Sequence, residues 1–226
     1  WSGLDLESGD MLYANVKAMD QAGNTSAIVS SDGMMVDYIP PETGTIFLAN
    51  QPESHYTNSR DTLAVTWRDF DDTGSGLAAF HLVLTGNDGI FLDTLLSAED
   101  TLYRYDSPGG LAQGAVITGQ MTAIDSAGNT SDPIASDGVT VDASAPEILS
   151  VSDGGTEDQR FWTMRDSLAI SWDASDSKAI AEFAVSVGSA PGDTNIIGWT
   201  SAGTETMATW SGLDLESGDM LYANVK

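Results

Sequence analysis

Ten acidic side chains stand where a hard cation could use them. Asp37 and Glu42 flank one proline-containing stretch, Asp69, Asp71 and Asp72 crowd the next turn-rich stretch, and Asp125 opens an Asp-x-Ala-Gly-Asn turn. A thinner set, Asp142, Glu147, Asp173 and Asp176, repeats the pattern further along. Calcium takes roughly six to eight oxygens, several from carboxylates and the rest from carbonyls and water. Without a cation, two carboxylates about 4 Å apart repel by roughly 1 to 4 kcal/mol, depending on the local dielectric. A bound Ca2+ removes that repulsion and would fix the angle between neighbouring domains. The competing role is local: Asp is a good turn residue because its side chain bonds the nearby backbone. The Asp-x-Ala-Gly-Asn turns read chiefly in that second way.

No other group of residues assembles a reactive centre. The histidines are His55 and His81, cysteine is absent, and there is no Gly-x-Ser-x-Gly turn. No glycine-rich loop leads into a helix to cradle phosphate. The chain is therefore expected to be non-catalytic. Without cysteine there is neither a disulfide framework nor a thiolate metal site, so core packing alone must hold the fold. Asn24-Thr25-Ser26 and Asn129-Thr130-Ser131 fit the N-glycosylation tripeptide. Asp-Thr-Leu, at 61, 93 and 100, resembles an O-glycosylation signal of some surface-layer-bearing bacteria.

Charge narrows the partners. In 226 residues, 34 Asp and Glu face 8 Lys and Arg, for a formal charge of -26. Nucleic acid and anionic membrane both need clustered basic side chains, so neither is expected. Hydrophobic residues are 41% of the chain, enough to build cores and too many for a disordered acidic tail. No apolar run approaches the ~18 residues of a membrane span, and no signal peptide opens the chain. Trp1 falls in mid-pattern, which reads as a window onto a longer array.

That array is visible as repeats. The segment from Trp1 to Lys17 recurs letter for letter from Trp210 to Lys226, a separation of 209 positions. Inside it runs a diverged repeat at an offset of 105. It carries Asp20-Gln21-Ala22-Gly23-Asn24 onto Asp125-Ser126-Ala127-Gly128-Asn129 and Pro41-Glu42 onto Pro146-Glu147. It also carries Leu63-Ala64-Val65-Thr66-Trp67 onto Leu168-Ala169-Ile170-Ser171-Trp172. The expected divisions are 1–38, the C-terminal part of one domain; 39–143, a complete domain; and 144–226, a domain lacking its last strand.

Helical periodicity is absent, and short β-rich runs recur between Gly, Asp, Ser and Pro turns. In the complete domain the expected strands are 45–49, 62–67, 78–85, 90–96, 101–105, 116–123 and 139–141. Seven short strands in about a hundred residues predict a two-sheet antiparallel sandwich. Alternation sets the inward residues: Leu63, Val65 and Trp67 on one strand, and Ile117, Gly119, Met121 and Ala123 on another. Leu12, Ala14, Val16 and Ala18 repeat the latter set, and the six tryptophans are expected to be mostly core. In such a sandwich the loops after the second and sixth strands share an end with the incoming linker. That convergence would gather Asp37, Glu42, Asp69, Asp71, Asp72 and Asp125.

The Leu-x-x-x-Trp second strand (Leu63 to Trp67, Leu168 to Trp172) resembles fibronectin type III modules. So does the Leu-x-x-Gly turn before the sixth strand (Leu6 to Gly9, Leu111 to Gly114, Leu215 to Gly218). Asp-Thr-Gly-Ser-Gly-Leu at 72–77 and the Val-Asp-x-x-x-Pro linkers resemble bacterial immunoglobulin-like repeats of large surface adhesins. The resemblance implies an extracellular, cell-surface chain of tandem sandwiches whose partners are neighbouring repeats or other copies in a filament. Its expected role is a spacer giving reach and stiffness. The alternative is a carbohydrate- or protein-binding module that works through its loops by avidity.

Overall fold

The computed structural model describes residues 3–49, 55–155 and 157–226. It is all-β, with two compact units, 1–143 and 144–226.

Residues 11–35 form two small antiparallel ladders. Strands β1 (Met11–Leu12), β2 (Asn15–Val16), β3 (Val29–Ser30) and β4 (Met34–Met35) pair as β1 with β4 and β2 with β3. The expected inward set does not pack here: Ala14, Val16 and Ala18 are exposed and only Leu12 is half-buried. Among the described residues of this unit, no second sheet covers that face. Trp1, the start of the exact repeat, lies outside the described residues.

Within this first unit, the strands between Thr45 and Val141 form a complete two-sheet sandwich. Its strands are β5 (Thr45–Leu48), β6 (Tyr56–Thr57), β7 (Thr62–Arg68), β8 (Leu77–Gly86), β9 (Gly89–Ser97), β10 (Leu102–Asp106), β11 (Val116–Asp125), β12 (Ile134–Ala135) and β13 (Val139–Val141). One sheet has the order β10-β7-β5; the other runs β6-β13-β11-β8-β9, with β12 also beside β11. Alternate residues of β7 and β11 face each other: Leu63, Val65 and Trp67 from one, Ile117, Met121 and Ala123 from the other. Phe80, Leu82 and Leu84 of β8 and Val139 and Val141 of β13 complete the interior. Burying these side chains supplies the driving force at about 25 cal/mol per Å² of apolar area. Gly119 interrupts the inward row of β11 because a Cβ there would press on Ile46, Leu48 and Leu84.

The second unit repeats the plan with fewer strands. Here β14 (Glu147–Asp153), β15 (Ser167–Ser175) and β18 (Met207–Ser211) form one sheet in the order β14-β15-β18. Strands β16 (Phe183–Gly188), β17 (Ile197–Gly203) and β19 (Tyr222–Val225) form the other, in the order β17-β16-β19. The two interiors share a signature. Trp67 meets Phe80 edge-on at 5.5 Å and 67°, and Trp172 meets Phe183 at 5.6 Å and 68°.

Tryptophan use differs from the sequence expectation. Trp67 and Trp172 are core, whereas Trp162 and Trp199 stay 36% and 44% exposed and Trp210 is half-buried. Trp199 and Trp210 sit on the edge strands β17 and β18, and Trp162 precedes β15 in an irregular segment. A strand face is legible in alternation, but whether a strand is an edge depends on partners distant in sequence.

Candidate cation site

Three of the expected acidic residues meet. Carboxylate oxygens of Asp37, Asp72 and Asp125 lie within 4.8 Å of one another. Asp37 belongs to the segment entering the complete sandwich, Asp72 to the loop between β7 and β8, and Asp125 to the end of β11. Asp125 is only 2% exposed and the other two are half-buried.

Each carboxylate is oriented by the backbone around it. Asp37 accepts the Ser75 N–H at 2.7 Å on one oxygen, and the Ser8 hydroxyl at 2.9 Å and the Ile39 N–H at 3.1 Å on the other. Asp72 accepts the Gly76 N–H at 2.6 Å, which holds its carboxylate against its own loop. Asp125 accepts the Asn129 N–H and the Asn129 Nδ2, both at 2.7 Å. Asn129 Nδ2 also donates to the Asp37 carbonyl at 3.3 Å. The bonds from Ser75, first its side chain and then its backbone, hold the Asp37 carboxyl down at about 2, below its usual 3.8. Donors that favour the charged form lower a carboxyl pKa.

The two loops are also stitched together. Ser126 N–H and Oγ both donate to the Gly76 carbonyl, at 2.9 and 3.1 Å, and Ala127 N–H donates to Ser75 Oγ at 3.1 Å. Gly74 has no side chain because a Cβ would collide with the Asp37 carboxylate. Ser8, Ser75 and Asn129 were not singled out for this site by sequence reasoning. The Gly-Ser-Gly run after Asp72 was the readable signal for Ser75, and the Asp-x-Ala-Gly-Asn turn the one for Asn129.

The remaining acidic residues lie elsewhere. Glu42 N–H donates to the Asp71 carbonyl at 2.7 Å, so these two contribute backbone pairing and their side chains are exposed. Asp69 has a positive φ of 65° and an exposed contact with Arg68 at 3.4 Å. Asp142 accepts from Gln113 Nε2. In the second unit Asp173 accepts from Ser150 Oγ at 3.5 Å and Asp176 from the Lys178 N–H at 3.4 Å, while Glu147 pairs with Ser175 along β14. Among the described residues, no second trio of acidic or histidine side chains closes to the same distance.

The hairpin aspartate has a sister that isolates its local role. Asp20 accepts the Asn24 N–H and Asn24 Nδ2, both at 2.8 Å, as Asp125 does from Asn129. Bonds from Asn24 lower its pKa. The Asp-x-Ala-Gly-Asn turn thus forms whether or not other carboxylates are near. Chemistry of another kind is sparse: His81 Nε2 and Asp93 Oδ1 meet at 2.6 Å on the outer face of the β8–β9 hairpin.

No family model matches the sequence, and no curated protein does. Among solved structures, the chain is similar to the FN1–FN3 domains of chicken CNTN1, with 12% identity over 94% of this chain and 70% of that chain at a TM-score of 0.42. It is also similar to a two fibronectin type III domain segment from chicken tenascin, with 13% identity over 82% of this chain and 98% of that chain at a TM-score of 0.31. The fold assignment rests on the sheet order and the paired interiors described above, to which these scores add no argument.

Proposed function

We propose that these sandwiches are spacer repeats of a long extracellular bacterial surface protein, an adhesin stalk or a filament, and that they supply reach and stiffness. The observation that carries this reading is the letter-for-letter return of residues 1–17 at 210–226, in a chain whose sandwich interiors are separate. Identical units in series multiply length without specialising any one of them, and stability stays local to a repeat and its neighbours. The linker Asp142-Ala143-Ser144-Ala145-Pro146 is short and contains proline, which favours a stiff rod. The high negative charge favours solubility and self-repulsion of such a rod. Among the described residues no helix is long and apolar enough to cross a membrane.

In the same reading Asp37, Asp72 and Asp125 hold Ca2+. The donor set fits a hard cation: three carboxylates converge, and oxygens that accept one N–H keep a further lone pair. Bound there, the cation would offset the mutual repulsion of the trio. The chain's own residues do the positioning: Ser75, Gly76 and Asn129 aim the carboxylates, and Gly74 leaves room for Asp37.

The test of the spacer role is contour length. Arrays of increasing copy number, imaged by electron microscopy, are expected to lengthen by a constant increment of about 40 Å per domain, set by a strand rise of about 3.3 Å per residue plus loops. A compact particle, or a length that does not scale with copy number, overturns the reading.

A further inference from the structure

The three-stranded sheets of the two sandwiches are built alike, yet their solvent-facing sides differ in opposite senses. Strands β10-β7-β5 and β18-β15-β14 follow the same order, and the same cross-strand rows return at an offset of 105. Phe47, Thr66 and Leu102 form one row, and Ser152, Ser171 and Met207 form its sister. Two residues further along the central strand, Arg68 pairs with Thr45, and Asp173 with Ser150. Alternation aims these side chains outward, because Val65, Trp67, Ile170 and Trp172 point into the interiors.

The differences between the two faces are complementary. Where the first has a ring and a cation, Phe47 and Arg68, the sister has a hydroxyl and an anion, Ser152 and Asp173. The Arg68 guanidinium lies 5.1 Å from the Phe47 ring centroid, and its side chain is 67% exposed. Its contact with Asp69 at 3.4 Å is solvent-exposed, the kind of pair that contributes little. Arg104 shares this face opposite Ala64, with Asp106 at the far end of the same strand. Strands β14, β15 and β18 carry no Lys or Arg at all. Each face also keeps one exposed large apolar side chain, Leu102 at 44% and Met207 at 51%.

We propose that the outer face of the β10-β7-β5 sheet docks on the outer face of the β14-β15-β18 sheet of a second copy of this chain. Packed sheets keep their strands aligned to within about 30°. In that alignment, seating Arg68 on Asp173 brings Phe47 opposite Met207 and Leu102 opposite Ser152. Contact between a ring and a thioether is favourable, and the small serine leaves room for Leu102. Arg68 gives up only its exposed contact with Asp69 and keeps its place over Phe47. Every copy carries both faces, so the contact is heterologous and builds an open series of chains. The proposal rests on the spacer reading and names its partner, which makes the assembly a multi-chain filament.

Sedimentation velocity of the 226-residue chain tests this, alongside Arg68→Glu and Asp173→Arg variants. Both positions are exposed, so neither change removes core. The wild-type chain is expected to form concentration-dependent oligomers up to about 100 μM, a range where weak specific contacts are populated. Each single variant sets like charges against each other. It is expected to associate at least about tenfold more weakly, the low end for a close charge pair across an interface. An equimolar mixture of the two variants restores opposite charges at every contact and is expected to assemble like wild type. A wild-type chain monomeric throughout overturns the proposal, as does a single variant that assembles like wild type or a mixture that stays dissociated. Each of those failures leaves the scaling of contour length with copy number untouched, so the two readings fail separately.

Discussion

The Asp37 carboxylate accepts the backbone N–H of Ser75 at 2.7 Å, tying the segment that enters the complete sandwich to its β7–β8 loop. A pH dependence follows. The Asp37 carboxyl titrates at about 2 in the folded chain against 3.8 ordinarily, so it stabilises the fold above pH 4. That contribution fades as pH falls from about 4 through about 2. Asp37→Asn is expected to lower the thermal midpoint at pH 6, and the gap from wild type to narrow steadily toward pH 2. A gap independent of pH would contradict the assignment.

Gly74→Ala tests the same contact from the other side. The added methyl group meets the Asp37 carboxylate and displaces it. The Asp37 carboxyl is then expected to titrate nearer its ordinary value, as read by carboxyl NMR. An unmoved titration would mean that the loop yields instead.

Calcium binding predicts a shift in stability by mass action. At a hundredfold excess over Kd, a ligand bound only by the native state adds ~2.7 kcal/mol. Added Ca2+ is expected to raise the thermal midpoint, chelation to reverse it, and Asp72→Asn to abolish most of the response. A midpoint indifferent to Ca2+ and to chelator removes the cation from the account.

Trp67 carries a further prediction. Its ring fills the interior against Phe80, while its indole N–H is buried with no hydrogen-bond partner among the described residues. Trp67→Ala is expected to cost about 3–5 kcal/mol in urea unfolding, the usual range for deleting a large buried ring. Trp67→Phe keeps most of the packing and removes the unpaired donor, so it is expected to cost clearly less. Equal losses would show that the indole N–H is satisfied. The same contrast is expected at Trp172, whose geometry and unpaired N–H are alike.

Much of this was legible in the residues. The alternation of β7 and β11 marked Leu63, Val65, Trp67, Ile117, Met121 and Ala123 as interior because a strand's faces follow strict period two. The offset of 105 announced sister sandwiches, and turn chemistry placed Asp125 at a hairpin. Carboxylate convergence was legible only in outline. Asp37, Asp72 and Asp125 meet, whereas Glu42 and Asp71 spend their backbone on a bridge and keep their side chains in solvent. Which oxygen points inward depends on individual N–H donors, such as those of Ser75 and Gly76, that composition does not specify.

Val16 and Val225 draw the line most sharply. They occupy the same place in two identical seventeen-residue stretches, so local sequence made both strand-forming and apolar. Val16 is 67% exposed, and Val225 packs against the core of the second unit. Only the tertiary structure separates them, because burial is conferred by a facing sheet, here Leu168, Ile170 and Trp172 of β15. Those residues lie far away along the chain, and no property of the stretch itself encodes their presence.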